Sequence, residues 1–171
     1  MAMDRPLLDD EITTYLENFF NKNKGEMSIV WKKYQAADPT KNQDVTKGKE
    51  LAVFRSLQDQ LVYTPSLEIV YKDKKTEIFS IGTQHDTYTY DILISVEAAH
   101  PIHSDTYLKV VGNVAMDLLN SFSNRSFQVP KFSFCSYYSE ASSLEMGFRR
   151  GKGLRSSRIS WMCKILKPNR Y

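Results

Sequence analysis

Two histidines and a carboxylate fall within six residues in His100-Pro101-Ile102-His103-Ser104-Asp105, and His85-Asp86 precede them in the chain. Imidazole and carboxylate groups hold zinc or move protons, so metal or acid–base chemistry would have to reside here. A metal site needs about three or four convergent ligands, steadied by further hydrogen bonds. These residues instead span a proline-containing turn, and their spacing matches no metal-binding pattern. Ser104 or Asp105 has a simpler use as the cap of the helix that follows. The expectation is turn and cap chemistry, with no metal and no cofactor.

Gly147-Phe148-Arg149-Arg150-Gly151-Lys152-Gly153 offers glycines and a lysine, the materials of a phosphate-binding loop. Such a loop leads from a strand through a short variable stretch into Gly-Lys-Ser/Thr and then a helix. Here Gly153 follows Lys152 and strand-like sequence lies downstream, so the segment reads as a basic hairpin tip. Arg149, Arg150, Lys152, Arg155 and Arg158 carry the charge needed to contact phosphates of a nucleic acid. The aromatics that would stack on bases, Phe132, Phe134, Phe148 and Trp161, fit the alternating apolar face of strands and are expected in the core. Cys135 and Cys163 sit in apolar, strand-like contexts without a CxxC spacing, as buried free thiols do in a reducing compartment. No Ser-His-Asp or Cys-His arrangement has local support, and the chain is not expected to be an enzyme.

At 171 residues, with 42% hydrophobic and 25% charged side chains, the chain has the composition of a soluble globular protein with one sizeable core. Residues 1–6 have no apolar leader, and no run approaches the roughly 18 apolar residues of a membrane span, so neither secretion nor a membrane partner is expected. The net charge is only +3 but is unevenly spread. Asp4, Asp9, Asp10, Glu11 and Glu17 gather near the start, whereas residues 146–171 hold Arg149, Arg150, Lys152, Arg155, Arg158, Lys164, Lys167 and Arg170 without one acid. An acidic head and a basic tail can pair between copies of the chain, or the tail can face a polyanion.

The elements that must position these groups follow from periodicity. Leu8, Ile12, Tyr15, Leu16 and Phe19 make the stripe of a helix over about Leu7 to Asn21, with Asp9, Asp10 and Glu11 in the first turn where the helix dipole favours them. Asn21 to Gly25 ends it, and Met27 to Tyr34 reads as either strand or helix. Residues 37–49 are polar and loop-like, an excursion or an arm that would carry Lys41 toward a neighbour. Leu51, Phe54, Leu57 and Leu61 predict a short helix over Lys49 to Gln60. A hairpin follows, with strands around Leu67–Tyr71 and Glu77–Ile81, a tip at Lys72-Asp73-Lys74-Lys75 and a connector over Gly82 to Asp86.

The clearest unit is Asp86 to Phe122. Tyr88, Tyr90, Ile92, Ile94 and Val96 alternate along one strand face, with Thr89, Asp91, Ser95 and Glu97 mostly opposite. Leu108, Val111, Ala115, Leu118 and Phe122 then recur at helical spacing. Three closing strands are predicted over Lys131–Tyr138, Leu144–Arg149 and Ser157–Leu166, with turns at Ser139–Ser143 and Arg150–Ser156. Ile159, Trp161, Cys163 and Ile165 share one face of the last. Tyr63, Tyr71, Tyr88, Tyr90, Tyr137 and Tyr138 recur through the β region, where Tyr beside Arg suits subunit contacts. The whole reads as one α+β domain over 1–171, a mixed, mostly antiparallel sheet packed against an N-terminal and a central helix.

This order of elements, with Thr87-Tyr88-Thr89-Tyr90-Asp91-Ile92-Leu93-Ile94-Ser95-Val96-Glu97-Ala98 running into the helix over Ser104 to Phe122, resembles the tail terminator proteins of tailed bacteriophages, also called tail-completion or neck proteins. The resemblance spans about Leu7 to Leu166; the excursion over 25–49 and the long closing strands depart from the simplest family pattern. It implies a virion protein, assembled in the host cytoplasm, whose copies close into a ring, usually a hexamer. That ring would cap the tail tube and meet the head connector near packaged DNA. The implied interface residues are Asp9, Asp10, Glu11 and Lys41 together with Arg149, Arg150, Lys152, Arg155 and Arg158. Two other readings stand beside it: a small basic nucleic-acid-binding module using the 149–158 loop, and another neck component such as a head-completion protein.

Overall fold

The structure, a computed structural model, describes residues 8–40, 43–59, 63–97, 101–121, 136–149 and 153–168. Its elements run α1 (Leu8–Ala37), β1 (Ala52–Phe54), β2 (Ser66–Ser80), β3 (Thr83–Glu97), α2 (Pro101–Ser121), β4 (Ser136–Arg149) and β5 (Leu154–Pro168). The five strands form one sheet in the order β1-β2-β3-β5-β4. β1 lies parallel to β2, and every other pair is antiparallel. The protein is α+β, as its patterning predicts.

Tyr88, Tyr90, Ile92, Ile94 and Val96 all point into one core, joined there by Leu67 and Ile69 of β2 and by Ile159, Trp161, Cys163 and Ile165 of β5. Register explains the match, because Ile92 stands between Ile69 and Ile159, and Tyr90 between Tyr71 and Trp161. The rings of Tyr71, Tyr90 and Trp161 meet edge-on across three strands, at centroid separations of 5.5 and 5.7 Å. Both helices cover this face. α1 contributes Ile12, Leu16, Phe20, Met27 and Trp31, and α2 contributes Leu108, Val111, Ala115 and Leu119. At Gly112 an added Cβ would lie 2.9 Å from a methyl of the Leu144 side chain, which would have to shift to admit it, so α2 rests closely on β4.

Five local expectations are corrected. α1 does not stop near Asn21 but runs to Ala37, because Met27 and Trp31 return to the stripe begun by Ile12 and Phe20, and their burial outweighs the polar stretch and Gly25. The ambiguous Met27–Tyr34 is thereby helical. Of the short helix predicted over Lys49–Gln60, the described residues 49–59 instead hold strand β1 with irregular flanks, and Gln60 lies outside the described residues. Ala52–Phe54 pair with Ser66–Glu68, and so short a helix would be marginal against those sheet bonds.

Lys72–Lys75 are no tip. β2 continues through them, and the chain turns at Ile81-Gly82, where Gly82 takes a φ of 89°. The supposed connector from Gly82 is the start of β3. The closing strands number two, not three, since Ser139–Ser143 belong to β4, with Ser139 and Ala141 buried against Cys163 and Trp161.

The helix cap is the fifth. α2 begins at Pro101, whose missing N–H costs nothing at a helix start, so Ser104 and Asp105 lie inside the helix. Phe122 and residues 131–135, including Cys135, fall outside the described residues.

Candidate functional site

The candidate metal or acid–base residues do not converge. His85 stands near the start of β3, opposite Glu77, and His103 lies in α2 beyond the far end of that strand. From His85 to Glu97 the strand runs about 40 Å at its usual rise per residue. His100 lies outside the described residues. Ser104 and Asp105 are spent on fixing α2 to the sheet. The Ser104 hydroxyl donates to the Glu97 carbonyl at 2.6 Å, and Asp105 accepts two hydrogen bonds from Arg155, at 2.8 and 2.9 Å. Among the described residues, no group of three or more His, Cys, Asp and Glu is placed to hold a metal. Cys163 is buried, which raises its thiol to about 12 and leaves it inert.

The basic segment 149–158 divides. Arg149 ends β4 opposite Arg155, while Arg150 and Lys152 lie outside the described residues. Gly153 takes a φ of 76° and leads into strand β5, not into a helix. Three residues apart on a strand, Arg155 and Arg158 point to opposite faces. Arg155 turns to the helix-covered face and Asp105; Arg158 turns to the opposite face, bonding Glu145 and lying 3.9 Å from Asp91.

The acidic start divides too. The Asp9 carbonyl accepts from the Tyr90 hydroxyl at 2.8 Å and from Thr13 at 2.8 Å, locking the first turn of α1 to the middle of β3. Asp10 faces solvent and Glu11 is half-buried. Lys41 lies outside the described residues. Among the described residues, then, the implied interface positions are spread over the first turn of α1 and both faces of the sheet.

Three surfaces emerge that the sequence did not single out. On the sheet face away from the core a slanted row of alternating charge crosses four strands: Lys72 of β2, Asp91 of β3, Arg158 of β5 and Glu145 of β4. Lys72 Nζ lies 3.5 Å from Asp91 Oδ2, and Arg158 bridges Asp91 to Glu145. The parity of Asp91 and Glu145, opposite the apolar alternation, was the available signal.

At one end of the sheet the β2–β3 hairpin stands with Ile78 76% and Ile81 99% exposed. At the other end, α1, α2 and the 43–50 loop enclose an open cleft of about 450 Å³ lined by Trp31, Tyr107, Lys32 and Asp44. Asp44 organises that loop. It accepts from Trp31 Nε1 at 3.2 Å, from both the N–H and the hydroxyl of Thr46, and from the Gly48 N–H. Burial alone would raise its carboxyl, but these hydrogen bonds together outweigh it and hold Asp44 below its ordinary 3.8. Asp44-Val45-Thr46 is a turn signal that could have been read.

No described helix is long and apolar enough to cross a membrane. No family model matches the chain, and no curated protein matches it either.

Proposed function

We propose that this protein is a non-enzymatic assembly subunit whose copies close into a ring, and that the ring is a phage tail terminator joining the tail tube to the head connector in the virion. The observation that carries the reading is the apolar hairpin tip. Isoleucines 76% and 99% exposed at the end of the β2–β3 hairpin mark a surface that another macromolecule covers. Half-exposed Tyr71 and Tyr138, on β2 and β4, add aromatic area toward the two sides of the sheet. The resemblance in element order assigns the neighbours: further copies at the sides, and the tail tube or connector at the tip. Arg155 and Arg158 weigh against a nucleic-acid module, because carboxylates already engage both.

The test is the solution mass of the purified protein, followed by its attachment to isolated tail tubes and connectors. A discrete ring, about six copies, that joins either structure is expected. Replacing Ile78 and Ile81 by Asp should leave the ring intact and abolish joining. A protein that stays monomeric at every concentration and with both partners present would overturn the reading.

A further inference from the structure

The two outer edges of the sheet complement each other. β1 covers β2 only at Ser66–Glu68, and beyond Glu68 no described strand pairs with the outer edge of β2. On the far side β4 is the last strand, and none of the described strands pairs with its outer edge. One point of that edge is occupied: the Asn120 side chain of α2 accepts from Ala141 N–H at 2.9 Å and donates to Ala141 C=O at 3.2 Å. A side-chain amide there does what a neighbouring strand would do, and closes the edge at that residue. Past it, from 143 onward, the β4 edge is open among the described strands.

The charged row ends at these same edges. It begins with Lys72, 48% exposed, on the β2 side and finishes with Glu145, 58% exposed, on the β4 side. Between them the signs alternate through Asp91 and Arg158. The terminal charges are opposite, so a copy set beside another in the sheet plane would continue the row without a like-charge contact. Strand direction agrees. Each strand along the series β2-β3-β5-β4 is antiparallel to the next, so the β4 of one copy runs antiparallel to the β2 of a copy added at its edge.

We infer that a second copy of this chain occupies these edges, with stretch 143–148 of one copy pairing with stretch 69–74 of its neighbour and Glu145 meeting the neighbour's Lys72. The contact is heterologous, and it closes into a ring when the rotation between copies permits. The described helices then fall on one wall of the assembly and the opposite sheet faces on the other. This inference rests on the self-assembling part of the proposed function, and names the surface that performs it.

The experiment compares solution mass for the wild type, Lys72→Glu, Glu145→Lys and the double variant Lys72→Glu/Glu145→Lys. Each single variant should lose the oligomer at concentrations where the wild type forms it, and the double variant should regain it. Inside one copy the double swap sets a carboxylate beside Asp91 and an ammonium beside Arg158, so regained assembly reports only the contact between copies. Amide hydrogen exchange on the wild type gives a readout independent of variant folding: 69–74 and 143–148 should gain protection as concentration rises. A ring that survives both single variants, or edges whose exchange ignores concentration, overturns the edge pairing and leaves the ring reading standing. A wild type monomeric at all concentrations overturns both.

Discussion

Arg155 of β5 and Asp105 of α2 meet as a two-pronged ion pair, with Nε 2.8 Å from Oδ1 and Nη2 2.9 Å from Oδ2. Fifty residues separate them, and the pair fixes the start of α2 against the last strand. A planar guanidinium satisfies both carboxylate oxygens at once; an ammonium cannot. Arg155→Lys should therefore cost about 1 kcal/mol in urea unfolding, and Arg155→Lys in an Asp105→Asn background much less. Equal losses in both backgrounds would deny the coupling.

The Asp44 carboxyl, held below its ordinary value by its hydrogen bonds, makes the 43–50 loop acid-sensitive. A lowered folded-state value stabilises the fold above the unfolded value and is lost as pH falls through the folded one. The melting temperature of the wild type should thus exceed that of Asp44→Asn at pH 7, and the gap should narrow below about pH 4. A gap that stays constant at strongly acidic pH would show that Asp44 does not titrate with folding.

Gly25 lies inside α1, and an added Cβ there meets nothing within 4 Å. The fold therefore gains from a better helix former. Gly25→Ala should raise stability by about 0.5–1 kcal/mol, seen as a higher denaturant midpoint with an unchanged slope.

Tyr90 donates from the centre of the core to the Asp9 carbonyl at 2.8 Å, and its oxygen lies 3.2 Å from the Thr13 hydroxyl, which shares its one proton between Tyr90 and that same carbonyl. Tyr90→Phe keeps the ring but removes the bond to Asp9 and the longer contact with Thr13. A loss of about 1–2 kcal/mol is expected, with faster amide exchange confined to the first turns of α1.

With its thiol raised to about 12 by burial, Cys163 should resist labelling. In a Cys135→Ser background at pH 8, only about one thiol in ten thousand would be ionised, and reaction with a disulfide reagent should wait for unfolding. Rapid labelling of the native protein would place Cys163 outside the core.

Much of this architecture was legible as periodicity. The alternation from Tyr88 to Val96, the stripe from Leu108 to Ala115 and the face shared by Ile159, Trp161, Cys163 and Ile165 each read their burial correctly, because period alone decides which side chains can share a face. The lysines at 72–75 were misread as a tip for a physical reason. An edge strand is solvated and polar like a turn, and only its partner, β3, shows that it is extended. Ser139–Ser143 failed likewise, since small polar residues become strand only when β5 and Asn120 take up their backbone groups.

Local patterning was thus enough for the class of fold and for which side chains of β3, β5 and α2 enter the core, both of them properties of residues near one another in the chain. Strand register came from tertiary structure alone, and with it the choice of which charges became partners. Arg155 and Arg158 look alike in sequence. A strand turns them to opposite faces, one toward Asp105 and the other into the row that ends at the two sheet edges. Ion pairs between strands are set by hydrogen-bonded register across long loops, and no spacing along the chain encodes that pairing directly.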